Sequence, residues 1–131
     1  MPCPFCDDLV ADFCFAKNKN FYAIHNRAPI LPGHSLVIPF RHVENMGNLN
    51  YLESSELFPF IQKVTHILTV AFKTESFDVS IQNGTLAGQT IPHLHVHILP
   101  RYDNDFPNPG DWYPKLVQHT QNEMLDSFER P

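Results

Sequence analysis

GTLAGQTIPHLHVHILPR, Gly84–Arg101, is the stretch that decides how this chain is read. Within it His93, His95 and His97 alternate with Leu94, Val96 and Ile98. Strict alternation over six residues is the period of a half-buried β-strand, whose successive side chains point to opposite faces. The spacing therefore predicts one face of imidazoles and one of aliphatic side chains. Residues two apart on a strand lie roughly 6 to 7 Å apart, so His93 and His97 are expected about 13 Å apart. Three imidazoles on one straight strand are badly placed to share a metal. Two histidines at one centre and the third at a neighbouring one fit the geometry better.

Working outward, Phe77–Gln82 alternates in the same way and predicts a partner strand, stopped at Asn83-Gly84 and returned antiparallel by the loop from Thr85 to Ile91. Farther upstream, Phe21–His25 and His34–Pro39 predict an antiparallel pair joined by a longer loop ending at Pro32-Gly33. His34 at the strand start reads on its own as a turn or edge residue. His42, just past the second strand, has either no function or a role as a metal ligand. Between these pairs, Leu57, Ile61, Val64, Leu68 and Ala71 recur at helical spacing and predict a helix from about Ser54 to Phe72, with Ser54 as N-cap. Pro59 fits only near its start. His66 lies off the apolar stripe and reads as solvated. Beyond Arg101 the three prolines of DNDFPNPGDWYP predict an irregular tail from about residue 102, with a short helix near Thr120–Glu129.

With 131 residues, 43% of them hydrophobic and 18% charged, the chain fits a single domain, 1–131. A net charge of -5 with nine scattered basic residues argues against a nucleic-acid binder, because affinity for phosphate backbones needs clustered Lys and Arg. A single phosphate-bearing small molecule stays compatible, since backbone amides and imidazoles hold anions without net positive charge. No stretch approaches the ~20 apolar residues of a membrane span, and MPCPFCDD carries acids where a signal peptide is basic. A cytoplasmic location without membrane contact is expected. Cys3, Cys6 and Cys14 are too few and odd in number for a disulfide framework. Cys3-Pro4-Phe5-Cys6 suits half of a tetrahedral zinc site, or is simply two ordinary thiols.

His93-Leu94-His95-Val96-His97-Ile98-Leu99, the preceding Ala87-Gly88-Gln89-Thr90, and Pro32-Gly33-His34-Ser35-Leu36-Val37-Ile38-Pro39 together resemble the histidine triad (HIT) superfamily, from Cys3 to Arg101. Gln82-Asn83-Gly84 ahead of Ala87-Gly88-Gln89-Thr90 is most similar to the fragile-histidine-triad branch, which splits dinucleoside polyphosphates. The resemblance implies an α+β fold, a five-stranded antiparallel sheet with helices packed on it, in a homodimer. It implies that His95 attacks the α-phosphorus of a purine nucleotide, giving a nucleotidyl-histidine intermediate and then a nucleoside monophosphate, with no organic cofactor. A neutral imidazole is nucleophilic near pH 7 when its other nitrogen is held as a donor, here by a backbone carbonyl or His34. His97 is then placed to donate to a phosphate or leaving-group oxygen. Carried over residue by residue, Gln89, Thr90 and Gln82 contact phosphate, Asn26 the ribose, and Phe5 lines the base pocket.

Some microbial members of the superfamily bind zinc through a CxxC, a histidine after the second strand and the first triad histidine. Here those positions are Cys3, Cys6, His42 and His93, a closed structural site. Three alternatives stand beside this reading. Nucleoside phosphoramidate hydrolysis keeps the mechanism and changes the leaving group. A metal-dependent hydrolase would use the triad to hold a water-activating metal, and a binding or structural module would do no chemistry.

Overall fold

Phe21–His25 (β2) and Ser35–Pro39 (β3) run antiparallel with Phe21 opposite Pro39 and His25 opposite Ser35. This pair is the middle of a sheet seen in a computed structural model that describes residues 3–118. Ala16–Lys17 (β1) flanks β2, while Val96–Pro100 (β5) pairs with β3 and Phe77–Ile81 (β4) closes the far edge. All four pairings are antiparallel, in the order β1-β2-β3-β5-β4. The fold is thus the expected α+β arrangement of five strands with helices packed on them. The two-residue β1 carried no alternation to reveal it.

The long helix, Tyr51–Phe72 (α2), starts three residues before the predicted N-terminus. Its N-cap is Asn50 rather than Ser54, because the Asn50 side chain accepts from the Glu53 N–H while Glu53 accepts from the Asn50 N–H. Such a reciprocal box satisfies two orphan donors at once. Pro59 sits inside the helix, not near its start. Both it and Ser55, whose carbonyl loses its helical donor, are exposed, so water can replace the missing bond. Phe60, Ile61, Val64 and Leu68 pack on Phe21, Ala23, Val37, Val96 and Ile98. Ala71 was expected in that stripe but is exposed, and the partly buried Phe72 fills the last turn. Burial of each large apolar side chain is worth about 1.5–3 kcal/mol, which holds α2 to one face of the sheet.

The opposite face is covered by the N-terminal segment. A 3-10 turn, Pro4–Cys6, and a short helix, Asp8–Asp12 (α1), lay Phe5, Val10 and Ala11 over Tyr22, Leu36, Ile38 and Ile91. This is also the face on which His97, opposite Leu36 and Ser80, projects. Both faces are therefore buried, and every residue from His93 to Pro100 is buried with them. The strand read as half-buried from its alternation is buried on both sides, because the second cover comes from residues remote in sequence.

The histidine segment is not one straight strand either. The His93 N–H donates to the Ile91 carbonyl at 2.8 Å, a γ-turn centred on Pro92, and the Leu94 N–H leaves the sheet for the Val43 carbonyl. Regular pairing begins only at Val96, so His93 and His95 precede the strand. Residues 112–118 are helical, whereas the helix expected at Thr120–Glu129 lies outside the described residues. Among the described residues no helix is long and apolar enough to cross a membrane.

Candidate active site and metal centre

The turn at Pro92 and the start of β5 at Val96 aim the three triad histidines differently. His93 Nε2 lies 2.9 Å from the Pro39 carbonyl, which can only accept. The proton of neutral His93 therefore sits on Nε2, and Nδ1 presents a lone pair. That lone pair faces Cys3 Sγ at 3.2 Å, Cys6 Sγ at 3.4 Å and His42 Nδ1 at 3.2 Å, with Cys6 Sγ 3.1 Å from His42 Nδ1. The four ligand atoms all lie within 4.8 Å of one another. Burial first, then the neighbouring imidazoles, drives the His93 pKa down to about 4, against a smaller upward pull from Pro39. The Cys6 thiol is pushed up to about 11 by burial and by Cys3 beside it. Two thiols and two imidazole nitrogens converging from separate segments form a ligand set, and Cys3, Cys6, His42 and His93 could hold a cation.

His95 is oriented by the same loop through its main chain. Its Nδ1–H donates to the His93 carbonyl at 2.9 Å, which leaves the Nε2 lone pair as the outward nucleophile. Of the two holds considered from the sequence, the backbone carbonyl is the one used. His34 serves His97 instead. The Ile30 N–H donates to His34 Nδ1 at 3.3 Å, so the His34 proton is on Nε2 and is donated to His97 Nδ1 at 3.0 Å. His97 thereby carries its own proton on Nε2. One backbone amide fixes two tautomers in series. The His95 and His97 ring centroids are 5.1 Å apart at 67°, which puts a lone-pair nitrogen and a donor nitrogen on neighbouring rings. His34, His95 and His97 are all buried, so imidazole geometry is set by packing and not by solvent.

Other expected site residues fall into place unevenly. Gln82 is buried with both amide atoms lacking a protein partner, as suits a group waiting for a ligand. Gly88, with φ +99°, has a backbone conformation that favours glycine, and a Cβ there would also come within 2.6 Å of Gln82 Nε2 and displace that amide. Gln89 is fully spent on structure. Its Oε1 accepts from the Gly84 N–H, its Nε2 donates to the Glu44 and Ile91 carbonyls, and its own N–H donates to the Gly84 carbonyl. In this conformation it braces the loop and has no donor left for phosphate. Asn26 follows β2, its Oδ1 accepting from the Ala28 N–H. Phe5 is buried edge-on to His93 and His95, so its ring backs the imidazoles instead of facing a base. Thr90 stands between Gln89 and Ile91 in the same loop.

Sequence reasoning missed Arg41 and Glu53. The buried Glu53 carboxylate takes both Arg41 Nε and Nη2, and Arg41 also donates to the Asn48 carbonyl. This fork ties the segment bearing His42 to the first turn of α2. The Asn50-x-x-Glu53 spacing was a readable signal for it.

A small α+β protein whose sheet buries a lone-pair histidine beside a proton-bearing one has the groups for covalent imidazole catalysis. Residues 10–104 match the HIT domain, and the chain belongs to that family. It is 39% identical over 130 residues to a bis(5'-adenosyl)-triphosphatase of Saccharomyces cerevisiae, covering 98% of this chain and 62% of that protein. The chain thus spans less than two thirds of that relative's length. It is 38% identical over 126 residues to an asymmetrical bis(5'-nucleosyl)-tetraphosphatase of Schizosaccharomyces pombe, covering 89% of this chain and 69% of that protein. Among solved structures, a Plasmodium falciparum diadenosine triphosphate hydrolase in complex with Cyclomarin A superposes with a TM-score of 0.69 at 27% identity, covering 90% of this chain and 78% of that one.

Proposed function

We propose that the protein hydrolyses dinucleoside polyphosphates through a covalent histidine intermediate. The observation that carries this reading is the pair of fixed tautomers, a lone pair on His95 Nε2 and a proton on His97 Nε2. His95 Nε2 attacks the α-phosphorus, a P–N bond forms, and the P–O bond to the leaving nucleotide breaks. His97 Nε2–H hydrogen-bonds the departing oxygen, which leaves as a phosphate anion while neutral His97 keeps its proton. His34 holds His97 in that tautomer. Water then attacks the nucleotidyl-His95 phosphorus, the P–N bond breaks, the water's proton passes to solvent, and a nucleoside monophosphate leaves. Gln82, with its unspent amide, is placed to hold a phosphate oxygen, and the relatives named as dinucleotide hydrolases support a purine dinucleotide as substrate. The reading includes a homodimer, supported by the edge strand β4, which exposes Val79 and pairs on one side only.

Zinc is the cation best suited to the cysteine and histidine cluster. With Zn–N near 2.0 to 2.1 Å and Zn–S near 2.3 Å, tetrahedral edges run from about 3.3 to about 3.8 Å. Four of the six edges between the ligand atoms are 3.1 to 3.4 Å, near that cage, and all lie within 4.8 Å. The Pro39 carbonyl on His93 Nε2 is the outer-shell partner that such a ligand needs. Four protein ligands leave no open position, so the ion would pin the N-terminal segment and would not activate water.

The test is to give the purified protein diadenosine triphosphate and adenosine phosphoramidate separately and quench in acid-free denaturant. Expected are AMP and ADP from the first substrate and a nucleotidyl adduct on the peptide containing His95. Faster turnover of the phosphoramidate would overturn the substrate assignment, and hydrolysis with no adduct at any time would overturn the mechanism. Elemental analysis of protein purified without chelator should give about one zinc per chain.

A further inference from the structure

Tyr22 is the one wholly buried tyrosine of the sheet, on the face that carries the imidazoles. A buried hydroxyl destabilises the fold unless it is paired. Its partner is the main-chain carbonyl of Phe5, to which the Tyr22 hydroxyl donates at 2.7 Å. Phe5 lies in the Pro4–Cys6 turn, with Cys3 and Cys6 on either side of it. Its ring meets His95 edge-on, with centroids 5.0 Å apart at 62°, and His93 at 5.8 Å and 87°.

His95 itself has a single hydrogen bond to hold its ring, from Nδ1 to the His93 carbonyl. One such bond fixes which nitrogen bears the proton but leaves the ring free to tilt about the bond axis. The tilt is set by walls, namely Phe5 on one side and His97 at 5.1 Å on another. In-line attack on phosphorus depends on where the Nε2 lone pair points. Phe5 is only 6% exposed, so it has almost no face to offer a ligand and acts as a wall.

From this geometry we infer that Tyr22 is a positioning residue for the reaction, holding Phe5 so that Phe5 holds the His95 imidazole at its attack angle. The inference rests on the function proposed above for its kinetic consequences, and on the structure alone for the orientation of His95. Because the hydroxyl is a second anchor on the turn that the cysteines flank, the wall stays in place without depending wholly on the metal corner.

The experiment compares Tyr22→Phe, Phe5→Leu and the double variant as purified, with metal in place. Tyr22→Phe keeps the ring and removes one hydroxyl, and its melting temperature shows that it is folded at the assay temperature. Expected is a fall in kcat of about fivefold with KM within about twofold, a fall of about tenfold for Phe5→Leu, and a double variant no slower than Phe5→Leu. In ¹⁵N spectra of the resting protein, the His95 imidazole signals should shift in Tyr22→Phe. Multiplying effects in the double variant, a change in KM alone, or unmoved His95 signals would overturn the inference. If the wild-type protein hydrolyses neither substrate, the functional reading fails, and the His95 signals still decide whether Tyr22 sets that ring.

Discussion

The two corners of the site meet at His93 and are organised in opposite ways. In the metal corner, side chains from three separate segments converge, and two of them, Cys6 and His42, are exposed. In the histidine corner, His34, His95 and His97 are buried, and each imidazole is fixed by a chain of donors and acceptors that ends on backbone. The first corner gathers a ligand set suited to a cation, whereas the second is held by hydrogen bonds within the protein. His93 belongs to both, its ring nitrogen facing Cys3, Cys6 and His42 and its carbonyl accepting from His95. Chemistry and structural closure can therefore be separated by mutation, although they share a residue.

The largest expected effect is on the histidine side. His95→Ala should lower turnover at least about a thousandfold, roughly 4 kcal/mol in the barrier, while zinc content stays at one per chain. Turnover by this variant within tenfold of wild type would remove the nucleophile and with it the distinction between corners. His93→Ala should show the converse. It loses the ring ligand and the metal but keeps the main-chain carbonyl, so rates fall only about 10- to 100-fold while the melting temperature drops sharply. Complete loss of turnover in a folded His93→Ala protein would mean that the metal corner is part of the chemistry.

The legibility of these corners in the sequence was uneven, for physical reasons. Alternation in Phe77–Ile81 and the aromatic and branched run Phe21–His25 marked strands, because side-chain period is a property of the strand itself. The same alternation through His93 and His95 misled, since a γ-turn at Pro92 and a hydrogen bond to Val43 replaced the ladder there. The His93 ring is nevertheless turned away from those of His95 and His97, by a bend rather than by distance along a straight strand. Cys3, Cys6, His42 and His93 come together as the resemblance implied. Roles played by backbone, such as the Pro39 and His93 carbonyls and the Ile30 amide, leave no mark in residue identity. For the same reason Gln89 read as a phosphate ligand, when three of its four hydrogen bonds are to main-chain groups reached by its side chain.

Acid should destabilise the chelated protein through His93. The ordinary histidine value is 6.5, and burial holds His93 at about 4 in the folded chain. Between those values the unfolded chain binds a proton that the folded chain refuses. The stability His93 contributes is thus fully present above pH 6.5 and is lost as pH falls toward 4, by up to about 3 kcal/mol in chelated protein. Urea unfolding of the chelated protein across this range should show the slope, and His93→Asn should flatten it. Equal slopes in the two proteins would show that His93 is not the group responsible.

The smallest expected effect tests whether the metal corner can be loosened from a distance. Glu53 caps α2 through the Asn50 N–H and grips Arg41, one residue before the ligand His42. Among the described residues, the fork's own hydrogen bonds run to Asn48 and Asn50 and not directly to His34, His95 or His97. Glu53→Ala removes the reciprocal cap and the ion pair together, at a cost of about 1–2 kcal/mol. Because the Arg41 segment then loses its anchor, zinc affinity in a competition with a chelator should fall a few-fold, while kcat of the zinc-loaded protein should stay within about twofold of wild type. A proportionate fall in kcat with metal fully bound would show that the segment from Arg41 to Glu44, whose carbonyl accepts from Gln89, carries strain into the phosphate loop. The two corners would then be coupled through that loop as well as through His93, and the separation drawn above would hold only for the ring nitrogens.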